Sequence, residues 1–199
     1  MDDAPESYTM SVDEYLRFEE SSSLRHEYVA GEVYAMSGVT VRHNRIAANV
    51  FARLFADSGD GPCRVFFAEV RLQAAHDIYY YPDVMVVCAP VAELDIIVRE
   101  PCVVVEVTSP GTARVDRSEK LAAYRGIESL RAYLIVDHRR RRVKRHWRDS
   151  PGGGWNREEL VTEGRVNIPC LDVELTLDEI YRGVELPAVG EPEAAEYEA

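Results

Sequence analysis

A chain of 199 residues with 46% hydrophobic and 29% charged side chains has an ordinary globular composition and is long enough to bury about 70% of its unfolded surface. No apolar run nears the roughly 20 residues that span a bilayer, and MDDAPES at the start is neither basic nor apolar, so the chain reads as cytoplasmic. The net charge of −12 argues against tight non-specific binding to nucleic acid; removing the seven terminal acids Asp2, Asp3, Glu6, Glu191, Glu193, Glu196 and Glu198 still leaves −5 on residues 7–190.

Ser11 followed by Glu14 fits a capping box, so SVDEYLRFEE is expected to open as a short helix. HEYVAGEVYAM carries apolar and aromatic runs on either side of Ala30-Gly31, a hairpin pattern that puts Glu32 at the start of the second strand. In HNRIAANVFARLF, Ile46, Val50 and Leu54 recur at helical spacing, with His43 in or near the first turn. Strand-like runs follow in CRVFFAEVRLQ, YYYPDVMVVCA, PCVVVEVTS and LRAYLIVD. The third, interrupted only by Glu106, has the continuity of a central strand covered on both faces. Between the last two runs, DRSEKLAAYRG places Asp116, Lys120 and Tyr124 on one helical face and stops at Gly126. The rest reads as VKRHWRD, a turn at Gly152-Gly153-Gly154, short strands to Ile168 and a helical turn near TLDEIY.

This succession predicts an α/β (α+β) fold: a mixed sheet flanked by helices, with an N-terminal hairpin and C-terminal β-additions. One domain over residues 8–186 is expected, between flexible tails at 1–7 and 187–199 that are rich in alanine, proline and acids. Cys63, Cys88, Cys102 and Cys170 are widely spaced and form no C-x-x-C pair, so buried free thiols are expected and a zinc site is not.

Asp83 follows a proline inside a valine-rich run and Glu106 sits in the most apolar strand, positions where an isolated carboxylate is costly. A hard divalent cation, Mg²⁺ or Mn²⁺, would compensate two such acids, activate a water and neutralise charge on a phosphate, with Lys120 the candidate for orienting the water. A purely structural alternative is that Asp83 caps a turn and Glu106 pairs with an arginine. The basic run HRRRRVKRHWR, with Trp147 within it, fits either a phosphate-facing surface or a charged sheet edge.

The segment from PDVMVV through PCVVVEVTSPGTARVDRSEKLAAYRGIESLRAYLIVD resembles the Uma-two family of the restriction-endonuclease-like PD-(D/E)xK nuclease superfamily. The likeness extends upstream through SVDEYLRFEESSSLRHEYVAGEVYAMSG and the His43 helix, covering residues 8–150. It implies that fold, with the first metal acid at Asp83 and the second at Glu106. The pattern's lysine, two positions after the second acid, is replaced by Thr108, and Lys120 on the following helix is the matching position. Glu32 and His43 fall on family positions, as a further metal-linked carboxylate and a proton-transfer or phosphate-contacting group. Tyr124 is placed to contact phosphate or to join the core, Asp116 to pair with Lys120, and Glu69 to approach from the preceding strand or remain exposed. The implied activity is that of a Mg²⁺- or Mn²⁺-dependent endonuclease on nucleic acid, DNA favoured over RNA, acting as a homodimer. The alternative is a non-catalytic binding or assembly protein on the same fold.

Overall fold

Ser11 caps α1 (Val12–Ser21) through the reciprocal bonds of a capping box with Glu14, as the sequence requires. The computed structural model describes residues 9–36, 38–108 and 113–187, and the side chains of all of these except 113–117. Nearly all of the two acidic tails, and the side chain of Asp116, lie outside the described residues. After α1 come β1 (His26–Val29) and β2 (Glu32–Ala35), joined at Ala30 and Gly31, both at positive φ as a tight hairpin turn demands. Tyr28 of β1 stacks on Tyr15 of α1, their rings 4.7 Å apart, which fastens the helix to the hairpin.

Helix α2 (Val41–Ser58) buries Ile46, Val50 and Leu54 along one face. The strand-like runs on either side of residue 76 do not form one strand each. CRVFFAEVRLQ divides into β3 (Arg64–Phe67) and β4 (Arg71–Ala75), and YYYPDVMVVCA into β5 (Ile78–Tyr80) and β6 (Val84–Val87). Together they make one long bent hairpin, with β3 paired to β6 in one sheet and β4 paired to β5 in another. The bend falls where Ala68 adopts a positive φ and Pro82 lacks an amide, and the Ala68 amide bonds the Asp83 carbonyl across it at 3.0 Å.

The remaining elements are β7 (Ile97–Val98), β8 (Pro101–Thr108), α3 (Ala113–Arg125), β9 (Ala132–Asp137), β10 (Arg142–Trp147), β11 (Asn156–Val161), β12 (Arg165–Ile168), β13 (Val173–Thr176) and α4 (Leu177–Ile180). The larger sheet has the order β11-β10-β9-β8-β6-β3, the smaller β2-β1-β5-β4-β7, and β12 pairs with β13. Strands β8 and β9 run parallel, with α3 as their crossover, and the other pairings of the larger sheet are antiparallel. Every residue of β8 is buried, because both faces are covered. Val103, Val105 and Val107 pack with Ile46, Val50 and Leu54 of α2, whereas Val104 packs with Tyr124 of α3 and with Leu72 and Tyr80 of the smaller sheet. Glu106 belongs by strand alternation to the second of these faces. The mixed α+β architecture expected from the sequence is present.

The expectation of free thiols is overturned: Cys63 is bonded to Cys88, and Cys102 to Cys170. Separations of 25 and 68 residues conceal the pairs in the sequence. The β3–β6 register, with Arg64 opposite Val87, is what sets Cys63 against Cys88. Among the described residues no helix is long and apolar enough to cross a membrane.

Candidate active site

The bend of the long hairpin delivers Asp83 to the start of β6, where Val84 pairs with Val105, the residue before Glu106. Asp83 Oδ2 accepts from the Val107 amide at 2.7 Å, and Oδ1 accepts from His43 Nε2 at 2.9 Å. The amide of His43 is bonded by the Thr40 cap, which fixes the first turn of α2 under the acid. His43 Nδ1 is buried without a hydrogen-bond partner among the described residues.

In the facing strand, Glu106 Oε1 accepts from Tyr124 hydroxyl at 2.7 Å and from Lys120 Nζ at 3.1 Å. The helical spacing of Lys120 and Tyr124 puts both on the face of α3 that covers the sheet. Lys120 also reaches Glu27 Oε1 of β1 at 2.8 Å and lies 5.1 Å from the centre of the Tyr80 ring. Glu106, Lys120 and Tyr124 are each no more than 5% exposed. Burial, together with the charge of Glu106, pushes the Tyr124 hydroxyl well above its ordinary pKa and holds it as a donor.

Of the residues singled out in the sequence, the structure therefore joins His43 to Asp83, and Lys120 and Tyr124 to Glu106. Thr108 turns its hydroxyl to the Val136 carbonyl, so the ammonium beside the second acid comes from α3 instead. Tyr124 is enclosed in the core and its hydroxyl donates to Glu106. Glu32 stays outside the network: it lies exposed on the edge strand β2 and accepts from the Tyr34 hydroxyl. The carboxylate that meets Lys120 from the hairpin is Glu27, which sequence reasoning missed. Its signal is strand alternation, since Tyr28 turns into the aromatic cluster and Glu27 must face the other way. Glu69 is exposed and pairs with Arg25 at 3.3 Å.

Among the described residues, Lys120 pairs with two carboxylates, Glu27 and Glu106, while Asp83 stands at the start of the strand paired to that of Glu106. An excess of hard oxygen donors suits Mg²⁺ or Mn²⁺ better than a soft metal. No three of these groups bring their ligand atoms within 4.8 Å of one another among the described residues. This fits a cation that takes one or two protein carboxylates and completes its shell with water and phosphate.

The basic run is largely absorbed by internal partners. Arg142 pairs with Asp137 at 2.5 Å, Arg141 with Asp178, and Arg145 with Glu158 at 3.0 Å while lying over Trp147. Arg148 is buried and donates to the carbonyls of Leu130 and Glu128, both at 2.7 Å. His146, also buried, accepts from Arg125 at 3.2 Å; burial first, and then the Arg125 charge, lower its pKa to about 4. Unfolded imidazole takes its proton near 6.5 and the folded one only near 4, so stability falls as pH drops through this window. We expect wild type to lose of order 2 kcal/mol more than His146→Gln between pH 7.5 and 4.5 in urea unfolding. Equal losses would refute the assignment.

Residues 12–179 match the model of the Uma2 family, described as "Putative restriction endonuclease". Two proteins of Synechocystis sp. (strain ATCC 27184 / PCC 6803 / Kazusa) are similar along most of the chain. "Uncharacterized protein sll1609" is 32% identical over 158 residues, 77% of this chain and 89% of the relative. "Uncharacterized protein slr1290" is 30% identical over 178 residues, 88% and 93% respectively. The fold is similar to the crystal structure of "a putative nuclease belonging to DUF820" from Anabaena variabilis ATCC 29413, with a TM-score of 0.70 at 16% identity over 86% of this chain and 97% of that one. With the family model spanning residues 12–179 and a nuclease fold to match, the chain belongs to the Uma2 family of restriction-endonuclease-like proteins.

Proposed function

We propose that the chain is a metal-dependent endonuclease that hydrolyses phosphodiester bonds in nucleic acid, with DNA favoured over RNA by the family's description. The observation that carries this reading is the adjacency of Asp83 and Glu106 on paired strands, with the Lys120 ammonium on the second acid at 3.1 Å. Asp83 and Glu106 are the residues that would hold Mg²⁺ or Mn²⁺. Such a cation, when bound, polarises a phosphate oxygen and makes a water acidic enough to attack.

The protein's own groups orient this centre. His43 and the Val107 amide fix both oxygens of Asp83, while Tyr124 and Lys120 fix Glu106. Lys120 brings positive charge next to the acids, where negative charge accumulates on a phosphate in the transition state. Glu27 holds the ammonium in place from the smaller sheet. Cutting two strands calls for two sites, so the reading includes a homodimer, read directly by sedimentation velocity. It also includes a cytoplasmic location, tested by fractionating cells.

Isothermal calorimetry with Mn²⁺ and Mg²⁺ tests the centre itself. Wild type is expected to bind one ion that the Asp83→Asn, Glu106→Gln double variant does not. Equal weak binding by both proteins would favour the non-catalytic alternative, to which the net charge of −12 also lends weight.

A further inference from the structure

Four cysteines converge at the end of β6 and β8 remote from Asp83 and Glu106. Cys63 precedes β3, Cys88 follows β6, Cys102 is the second residue of β8, and Cys170 lies between β12 and β13. The two disulfides meet: the sulfurs of Cys88, Cys102 and Cys170 all lie within 4.8 Å of one another. Cys63 Sγ is 3.6 Å from the Cys170 carbonyl oxygen, so the fourth sulfur faces the same turn. Cys63 and Cys102 are buried against the α2 side of the core, and Cys88 and Cys170 are half-buried at its margin.

Two disulfides acting only as staples have no reason to share one location, whereas a metal tetrathiolate requires it. Tetrahedral zinc has Zn–S bonds of about 2.3 Å, which places its sulfurs about 3.8 Å apart. Three of the sulfurs lie within 4.8 Å of one another, two of them bonded as Cys102–Cys170, so reduction needs only a small separation to reach that spacing. Thiolates select a soft or borderline ion, unlike the oxygen donors around Asp83, so the two centres would not compete for the same metal. In a reducing compartment, disulfides are rarely maintained and the thiols become available.

We propose that reduced Cys63, Cys88, Cys102 and Cys170 bind one Zn²⁺ as a structural tetrathiolate that clamps the β12–β13 turn onto the larger sheet. Each disulfide takes two electrons and two protons from a dithiol reductant, which leaves as its own disulfide. Zn²⁺ then replaces the four thiol protons, and the metal undergoes no redox change. The proposal departs from the expectation drawn from sequence spacing, because the ligands come from four segments that only the fold brings together.

The test uses the full chain, reduced with a dithiol that is then removed without air, and titrated with Co²⁺ and with Zn²⁺. One Co²⁺ per chain is expected, with the strong visible absorption of a tetrahedral thiolate complex, displaced by one Zn²⁺. Cys102→Ser and Cys170→Ser should each weaken binding by roughly tenfold or more, whereas Asp83→Asn should retain the signal. Alkylation of wild type needs no variant to fold: Zn²⁺ should protect all four thiols. A missing thiolate signal, a signal that survives both serine substitutions, or four thiols alkylated in the presence of Zn²⁺ would overturn the proposal.

Discussion

Asp83→Asn should lower cleavage of any nucleic acid that the wild type cuts by about 1,000-fold, equivalent to roughly 4 kcal/mol of transition-state stabilisation, with little change in fold stability. Asparagine is the informative substitution because its carbonyl still accepts from the Val107 amide, and only the charge and one acceptor are removed. Alanine would instead leave a buried amide unpaired at about 1–3 kcal/mol, confusing stability with chemistry. The measurement is the initial rate of supercoiled plasmid nicking in Mn²⁺, with the urea midpoint as control. A variant that nicks at the wild-type rate would remove Asp83 from the metal centre.

Lys120→Met is expected to act on stability as strongly as on rate. The ammonium is buried between Glu27 and Glu106, at 2.8 and 3.1 Å, and its loss leaves two carboxylates without it in a site that excludes most water. Removing one partner of a buried ion pair costs about 3–5 kcal/mol. The discriminating experiment is a double-mutant cycle in urea. Glu106→Gln should be far less damaging in the Lys120→Met background than in the wild type, with a coupling of at least about 1 kcal/mol. Additive effects would mean that Lys120 serves as packing and not as the counter-charge of the second acid.

The two acids were legible because apolar strands make a carboxylate conspicuous. Lys120 and Tyr124 were legible because their spacing of four puts them on one helical face. Glu27 was hidden by its ordinary setting: an acid in a short half-exposed strand carries no signal until the position of α3 is known. The bend of the long hairpin was also hidden, since Pro82 announces a break but not that β4 and β5 pass into a second sheet. Cysteine pairing depended on the β3–β6 register and on the β12–β13 turn reaching β8, contacts far apart in sequence.

That bent hairpin also governs what length of chain can stand between its two sheets. Asp83 rides on the segment from Tyr80 to Val84, anchored in one sheet at its first residue and in the other at its last. One residue added or deleted there would slide Asp83 along β8 by about 3.3 Å and turn its side chain to the opposite face. The stretch behaves as a ruler, calibrated against Glu106. By contrast, the glycine turn at residues 152–154 between β10 and β11 sets no distance in the centre and is free to lengthen.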